Sequence, residues 1–144
     1  MDARTDTDIL GLDIGSVAVK AVRIGPGGAV LARTVVAGVG NLAVEVAEAL
    51  GRVLPGDRPV RVGVTGQGRI ALAWVPGVVS ENEILCLVRG VDDSRIRSVI
   101  EVGGHVSRWI AVEPAGAGAL PTLRAFAVND QCAAGAGAFL TQQA

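Results

Sequence analysis

Ile9-Leu10-Gly11-Leu12-Asp13-Ile14-Gly15-Ser16-Val17-Ala18-Val19-Lys20-Ala21-Val22-Arg23-Ile24 is the stretch that decides how this chain folds. Ile9–Ile14 is apolar and reads as a buried strand, interrupted by Asp13 and closed by Gly15. Val17–Ile24 alternates and is β-branched, the pattern of a second strand. Pro26-Gly27-Gly28 is a turn signal, and Ala29–Val36 is a third strand. Two short turns in succession make these strands an antiparallel meander.

Outward from the meander, Asn41 is a fair N-cap for a helix over Leu42–Leu54, ended by Pro55-Gly56. Leu42, Val46, Ala49, Leu50 and Val53 fall on one face of that helix. Val60–Thr65 is a short apolar strand after a helix, so a crossover to a parallel position is expected. Gly66-Gln67-Gly68-Arg69 turns the chain. Ser80 is predicted to cap a helix with Glu83 at its third position, running to about Val88 and stopping at Gly90. Ser98–Val102, Arg108–Glu113 and Leu123–Val128 are further strands, with a loose Pro114–Pro121 stretch between the last two. Ala134 onward reads as an apolar helix to the last residue. Strand, acid, glycine turn and strand thus occur twice, at Asp13-Ile14-Gly15 and at Glu101-Val102-Gly103-Gly104, as if one unit were used twice.

Composition narrows the classes. The chain has 144 residues, of which 50% are hydrophobic, which excludes disorder. Aromatics are only 3% and glycines number 20, so the core must be built from small residues. Thirteen basic and fourteen acidic residues leave a net charge of −1, so nothing global favours nucleic acid or an anionic membrane. Apolar stretches such as Ile70–Val75 fall short of the ~20 residues of a membrane span. Met1–Asp8 carries three Asp and no apolar core, so it is not a signal peptide. Cys86 and Cys132 form no secreted-scaffold pattern, and a reducing, cytoplasmic setting is expected.

Asp13-Ile14-Gly15-Ser16 with Lys20, the only lysine, suits phosphate. Gly15 lets backbone amides approach an anion, Ser16 can donate its hydroxyl, and Asp13 can hold a hydrated Mg²⁺. Lys20 supplies a cation if its strand bends it inward. The same residues also suit a plain hairpin with a capping Asp and a solvated Lys. Glu101-Val102-Gly103-Gly104 is a second such turn, and two phosphate turns, one per half, would clamp a nucleotide. A lone His105 excludes a His-based zinc site. In Asn129-Asp130-Gln131-Cys132-Ala133-Ala134-Gly135, a cysteine at a helix entrance has its thiolate favoured, which suits metal or cluster ligation. A buried free Cys in a small-residue turn is the alternative. Cys86, inside an apolar helix, reads as structural.

Together these motifs resemble the ATPase activators of 2-hydroxyacyl-CoA dehydratases and the ATP-binding subunits of benzoyl-CoA reductase. Gly11-Leu12-Asp13-Ile14-Gly15-Ser16 through Lys20 resembles that family's first phosphate motif. Thr65-Gly66-Gln67-Gly68-Arg69 resembles its T-G-Y-G-R turn, and Glu83-Ile84-Leu85-Cys86 with Arg89-Gly90 resembles its E-I-x-C-H-x-[KR]-G helix. Glu101 to Arg108 stands where the family has D-I-G-G-Q-D-S-K. Asn129 to Leu140 is similar to N-D-K-C-A-A-G-T-G-R-F-L.

The resemblance implies an α/β, actin, Hsp70 and sugar-kinase-like (ribonuclease H-like) fold with a mixed sheet. Residues 1–97 would be its first nucleotide-binding domain and 98–144 the incomplete start of a second. It implies ATP and Mg²⁺, with Gly11, Asp13, Gly15, Ser16, Lys20, Gly103 and Gly104 at the nucleotide, Asp13 at the magnesium, and Asp13 and Glu101 as catalytic carboxylates. It also implies a [4Fe-4S] cluster shared across a homodimer, or with a homologous subunit, with Cys132 as a ligand; Cys86 gets no cluster role. ATP hydrolysis would drive a low-potential electron from the cluster to a dehydratase or reductase component acting on a CoA ester.

The chain departs from the family at Glu101 for Asp, His105-Val106 for Gln-Asp, Arg108 for Lys, Leu87 for His, and Ala136 and Ala138 for Thr and Arg. The family's second cluster cysteine and adenine-binding turn lie downstream of Ala144, so the sequence is expected to be a front half that hydrolyses ATP when the remainder is supplied. The alternative is a degenerate, non-catalytic nucleotide-binding or interaction module of the same fold.

Overall fold

A computed structural model describes residues 7–129 of the chain, apart from 39, 55, 57, 92, 105, 117 and 118. It divides into two compact units, Met1–Glu83 and Ile84–Ala144.

The first unit holds β1 (Asp8–Ile14), β2 (Ala18–Ile24), β3 (Val30–Ala37), α1 (Leu42–Val53), β4 (Val60–Thr65), a 3-10 turn (Gln67–Ala71) and β5 (Val78–Ser80). Its sheet runs β3-β2-β1-β4-β5. The first three strands are antiparallel neighbours, while β4 pairs parallel to β1 and β5 parallel to β4. The expected meander and the parallel crossover are both present. Alternation along the strands sends Leu10, Leu12, Ile14, Val19 and Ala21 to one face, where Val46, Ala49 and Val53 of α1 meet them. Each large side chain so buried is worth about 1.5–3 kcal/mol. Asn41 caps α1 through its side-chain oxygen, which accepts from Val44 N at 3.3 Å. The helix ends where Leu54 turns extended, its N–H donating to Leu50 O.

One expectation is corrected here. Ser80 does not cap the next helix; it closes β5, opposite Val64, and α2 (Glu83–Arg89) begins beyond it. Val78 and Val79 gain ladder bonds beside Val62 and Gly63, and Thr65 Oγ1 donates to Glu81 O at 3.0 Å, so the chain stays extended through these residues.

The second unit carries α2, β6 (Ser98–Val102), β7 (Ser107–Glu113) and β8 (Thr122–Asn129), the strands in antiparallel order β6-β7-β8. Val88, Ile110 and Val112 form its core, with Ile84, Leu87, Val99 and Leu123 packed around them. The sequence places a boundary after residue 97; contacts divide the chain after Glu83, because α2 turns Ile84, Leu87 and Val88 onto the second sheet. Gly90 ends α2, its N–H donating to the Cys86 and Leu87 carbonyls. The helix expected from Ala134 onward, His105 and Cys132 lie outside the described residues. Among the described residues no helix is long and apolar enough to cross a membrane.

Candidate functional site

β1 delivers Asp13 to the end of the first sheet, and β2 returns Lys20 directly opposite it in the ladder. The turn between them closes with Gly15 N donating to Ala18 O at 3.1 Å. A Cβ on Gly15 would stand 3.0 Å from that same oxygen and 3.8 Å from Lys20 Nζ, so glycine gives the turn its tightness and sets it beside the ammonium. Lys20 Nζ donates to Asp13 Oδ2 at 2.7 Å, with both side chains partly exposed. No strand bend is needed to bring the lysine in, because cross-strand register does it.

A second motif lies directly on the first. Gly66 takes φ +87°, and a Cβ there would fall 2.5 Å from Ile14 O and 2.6 Å from Asp13 Oδ1. A Cβ on Gly68 would fall 2.3 Å from Ile14 Cγ2. Both glycines of Thr65-Gly66-Gln67-Gly68-Arg69 therefore exist to let this turn seat on Asp13-Ile14. Arg69 is tied into its own turn, donating from Nη1 to Gly66 O at 3.1 Å.

The chain leaving β3 supplies a third wall. Gly38 N donates to Val17 O at 2.7 Å, and Glu45, buried at the start of α1, accepts from Gly40 N and Asn41 N. The result is a cleft of about 460 Å³ whose lining includes Gly15, Ser16, Gly38, Glu45, Gln67 and Gly68. Sequence reasoning missed Gly38, Gly40 and Glu45. The Gly38-x-Gly40 pair ahead of a helix was the one visible signal for them. Of the first-unit residues expected at the nucleotide, Gly15 and Ser16 line the cleft, whereas Gly11, within β1 opposite Val22 and Gly63, and the Asp13–Lys20 pair do not.

The second unit repeats the hairpin. Glu101 and Arg108 are ladder partners, Arg108 Nη1 donates to Glu101 Oε2 at 2.7 Å, and Gly103 N donates to Val106 O at 2.8 Å. A Cβ on Gly103 would meet that oxygen at 2.7 Å; Gly104 follows it in the turn. The pair differs in burial: Arg108 is 9% exposed, against 54% for Lys20. Alternation explains it, since Arg108 shares its face with Ile110, which packs on α2, while Lys20 lies opposite the α1 face. Among the described residues no group of three or more His, Cys, Asp and Glu gathers to hold a metal ion.

No protein-family model matches the chain. Over 137 residues it is 34% identical to the 2-hydroxyisocaproyl-CoA dehydratase activator of Clostridioides difficile, covering 91% of this chain and 49% of that protein. The chain is a relative of the 2-hydroxyacyl-CoA dehydratase activators. A second such relative, the (R)-2-hydroxyglutaryl-CoA dehydratase activating ATPase of Acidaminococcus fermentans, is 31% identical over 138 residues, 91% of this chain and 50% of that protein. The solved activator of the 2-hydroxyisocaproyl-CoA dehydratase from Clostridium difficile with bound ADPNP superposes with a TM-score of 0.75 at 29% identity. That match covers 94% of this chain and 50% of the activator. The chain thus has the actin-like α/β fold of these activators, and it spans about half the length of the curated relatives it matches.

Proposed function

We propose that the first unit binds the phosphates of MgATP at the Gly15-Ser16 turn, within an ATPase activator that serves a CoA-ester dehydratase or reductase. One observation carries the reading: Gly66 and Gly68 seat their turn on Asp13-Ile14, where Lys20 is already paired, so two separate sequence motifs meet at one glycine turn. The residues fit the ligand. Gly15 and Ser16 line an open cleft; Lys20 and Asp13 do not line it, but Lys20 Nζ lies 3.8 Å from where a Cβ on Gly15 would stand, and Asp13 is 35% exposed, enough to accept hydrogen bonds from the waters of a hydrated Mg²⁺. The bound ADPNP of the related activator supports ATP as the nucleotide.

In this reading Lys20 exchanges Asp13 for a phosphate oxygen, and Asp13 turns to the hydrated cation. Gly103 and Gly104 serve the second phosphate turn, and Asp13 and Glu101 are the catalytic carboxylates of the reading, one in each unit. Cys132, with a cluster shared across a dimer, rests on its sequence motif and on the kinship with the activators. A bound [4Fe-4S] cluster would supply one low-potential electron per step. The dehydratase or reductase partner and the cytoplasmic setting belong to the same proposal.

A second reading has its own observation. Arg108, nearly buried, holds the Glu101 carboxylate at 2.7 Å, an arrangement that favours binding without turnover. Calorimetry with MgATP, run beside a phosphate-release assay, tests both. Turnover that Asp13→Asn abolishes supports the ATPase, and binding without turnover supports the module. Absence of saturable binding overturns both. Anaerobic reconstitution with iron and sulfide tests the cluster, and a Cys132→Ala chain that keeps a full cluster refutes the ligand assignment.

A further inference from the structure

Glu45 is an acid in the first turn of an amphipathic helix, a place where carboxylates ordinarily face water and favour the helix dipole. Here it is 6% exposed and turned back along the chain. One oxygen, Oε1, accepts from both Gly40 N at 3.1 Å and Asn41 N at 3.2 Å. These residues continue from Gly38, whose N–H donates to Val17 O at 2.7 Å. Val17 is the residue after Ser16, so this bond joins the loop ahead of α1 to the Gly15–Ala18 turn. The join is close: a Cβ on Gly38 would stand 2.9 Å from Val17 O and 3.7 Å from Glu45 Oε2. Gly15, Ser16, Gly38, Gly40 and Glu45 all line the same cleft.

We infer that Glu45 is a positioning residue for the nucleotide site, acting through Gly40, Asn41 and Gly38 on the Gly15-Ser16 turn. The inference rests on the nucleotide reading above. Two backbone N–H groups held by one buried carboxylate fix the loop more firmly than neutral acceptors would, because charge-assisted bonds are stronger. The loop in turn fixes the Val17 carbonyl, and through it the direction of the amides and hydroxyl that meet the ligand. A glutamine keeps the Oε1 acceptor with two lone pairs, so it preserves the geometry while removing the charge.

The test uses the 144-residue chain, MgATP calorimetry, and hydrogen exchange at the Gly38, Gly40 and Asn41 amides. Glu45→Ala is expected to speed exchange at all three amides and to weaken MgATP binding roughly tenfold, the scale of one lost charge-assisted bond. Glu45→Gln is expected to restore binding to within about threefold of the parent. Glu45→Ala with faster exchange but unchanged affinity would reduce Glu45 to a helix cap and overturn the inference. A Glu45→Gln chain as weak as the alanine variant would overturn it too. Where Glu45→Ala does not fold, Gly38→Ala disturbs the same join with Glu45 intact, and unchanged affinity there refutes the inference. A parent chain that binds no MgATP instead sinks the nucleotide reading itself.

Discussion

Lys20 stands directly across the ladder from Asp13 and donates to it at 2.7 Å, and Arg108 stands in the same relation to Glu101. In both hairpins a glycine two places after the acid donates its N–H back across the turn, from Gly15 to Ala18 O and from Gly103 to Val106 O. Equal spacing of acid, glycine and base thus yields the same pairing twice, although the two bases differ in exposure, Lys20 being open to solvent and Arg108 nearly buried. The exposed pair can exchange partners when an anion arrives. The second resists exchange because Arg108, 9% exposed, would be poorly solvated if left alone.

Salt separates the two pairs. Lys20→Met should cost under about 1 kcal/mol of stability, and raising the salt should erase even that, as for other exposed pairs. Arg108→Met should cost about 1–3 kcal/mol and keep most of that cost in high salt, because the Glu101 carboxylate loses a nearly buried partner. Urea midpoints at low and high salt check both, and equal costs would show that the burial difference has no energetic consequence.

The seat of the second turn predicts a glycine contrast. Gly66→Ala combines a left-handed φ with a Cβ 2.5 Å from Ile14 O, and about 1–3 kcal/mol should be lost. Gly27→Ala places its Cβ in open space and should change stability by less than about 0.5 kcal/mol. Urea denaturation of the two variants gives the comparison directly.

How much of this was legible in the sequence follows from where the forces act. The meander and the parallel β4 were readable because apolar alternation and turn glycines are local signals. The convergence of Thr65–Arg69 on Asp13 was not, since it depends on the parallel pairing of β4 with β1, which sets Thr65 beside Asp13. β5 escaped notice because three residues, Val78–Ser80, carry too little pattern, and the polar run after them reads as a helix cap. Glu45 escaped because a first-turn glutamate looks solvated until the preceding loop is seen to fold over it.

Acid titration gives a further check in the second unit. Arg95 donates to Asp93 from its side chain and, secondarily, from its backbone N–H, and holds the Asp93 carboxyl below the ordinary aspartate range while raising the guanidinium. A carboxyl lowered on folding stabilises above its unfolded value and loses that contribution as pH falls through its folded value. An NMR titration should therefore find Asp93 protonating below the ordinary aspartate range, and Arg95→Ala should raise it toward that range, leaving only the smaller lowering by the backbone N–H of residue 95. An unchanged midpoint in the variant would remove Arg95 as the cause.

In this reading the Gly15-Ser16 turn, with Lys20 beside it, binds the phosphates of a nucleotide. Calorimetric titration of MgATP into the 144-residue chain and into its Lys20→Met variant is the decisive comparison. Saturable binding is expected for the parent and at least a roughly tenfold loss for the variant, the scale of one charge-assisted contact to phosphate. Saturable binding of equal affinity in both, or none in the parent, would contradict it.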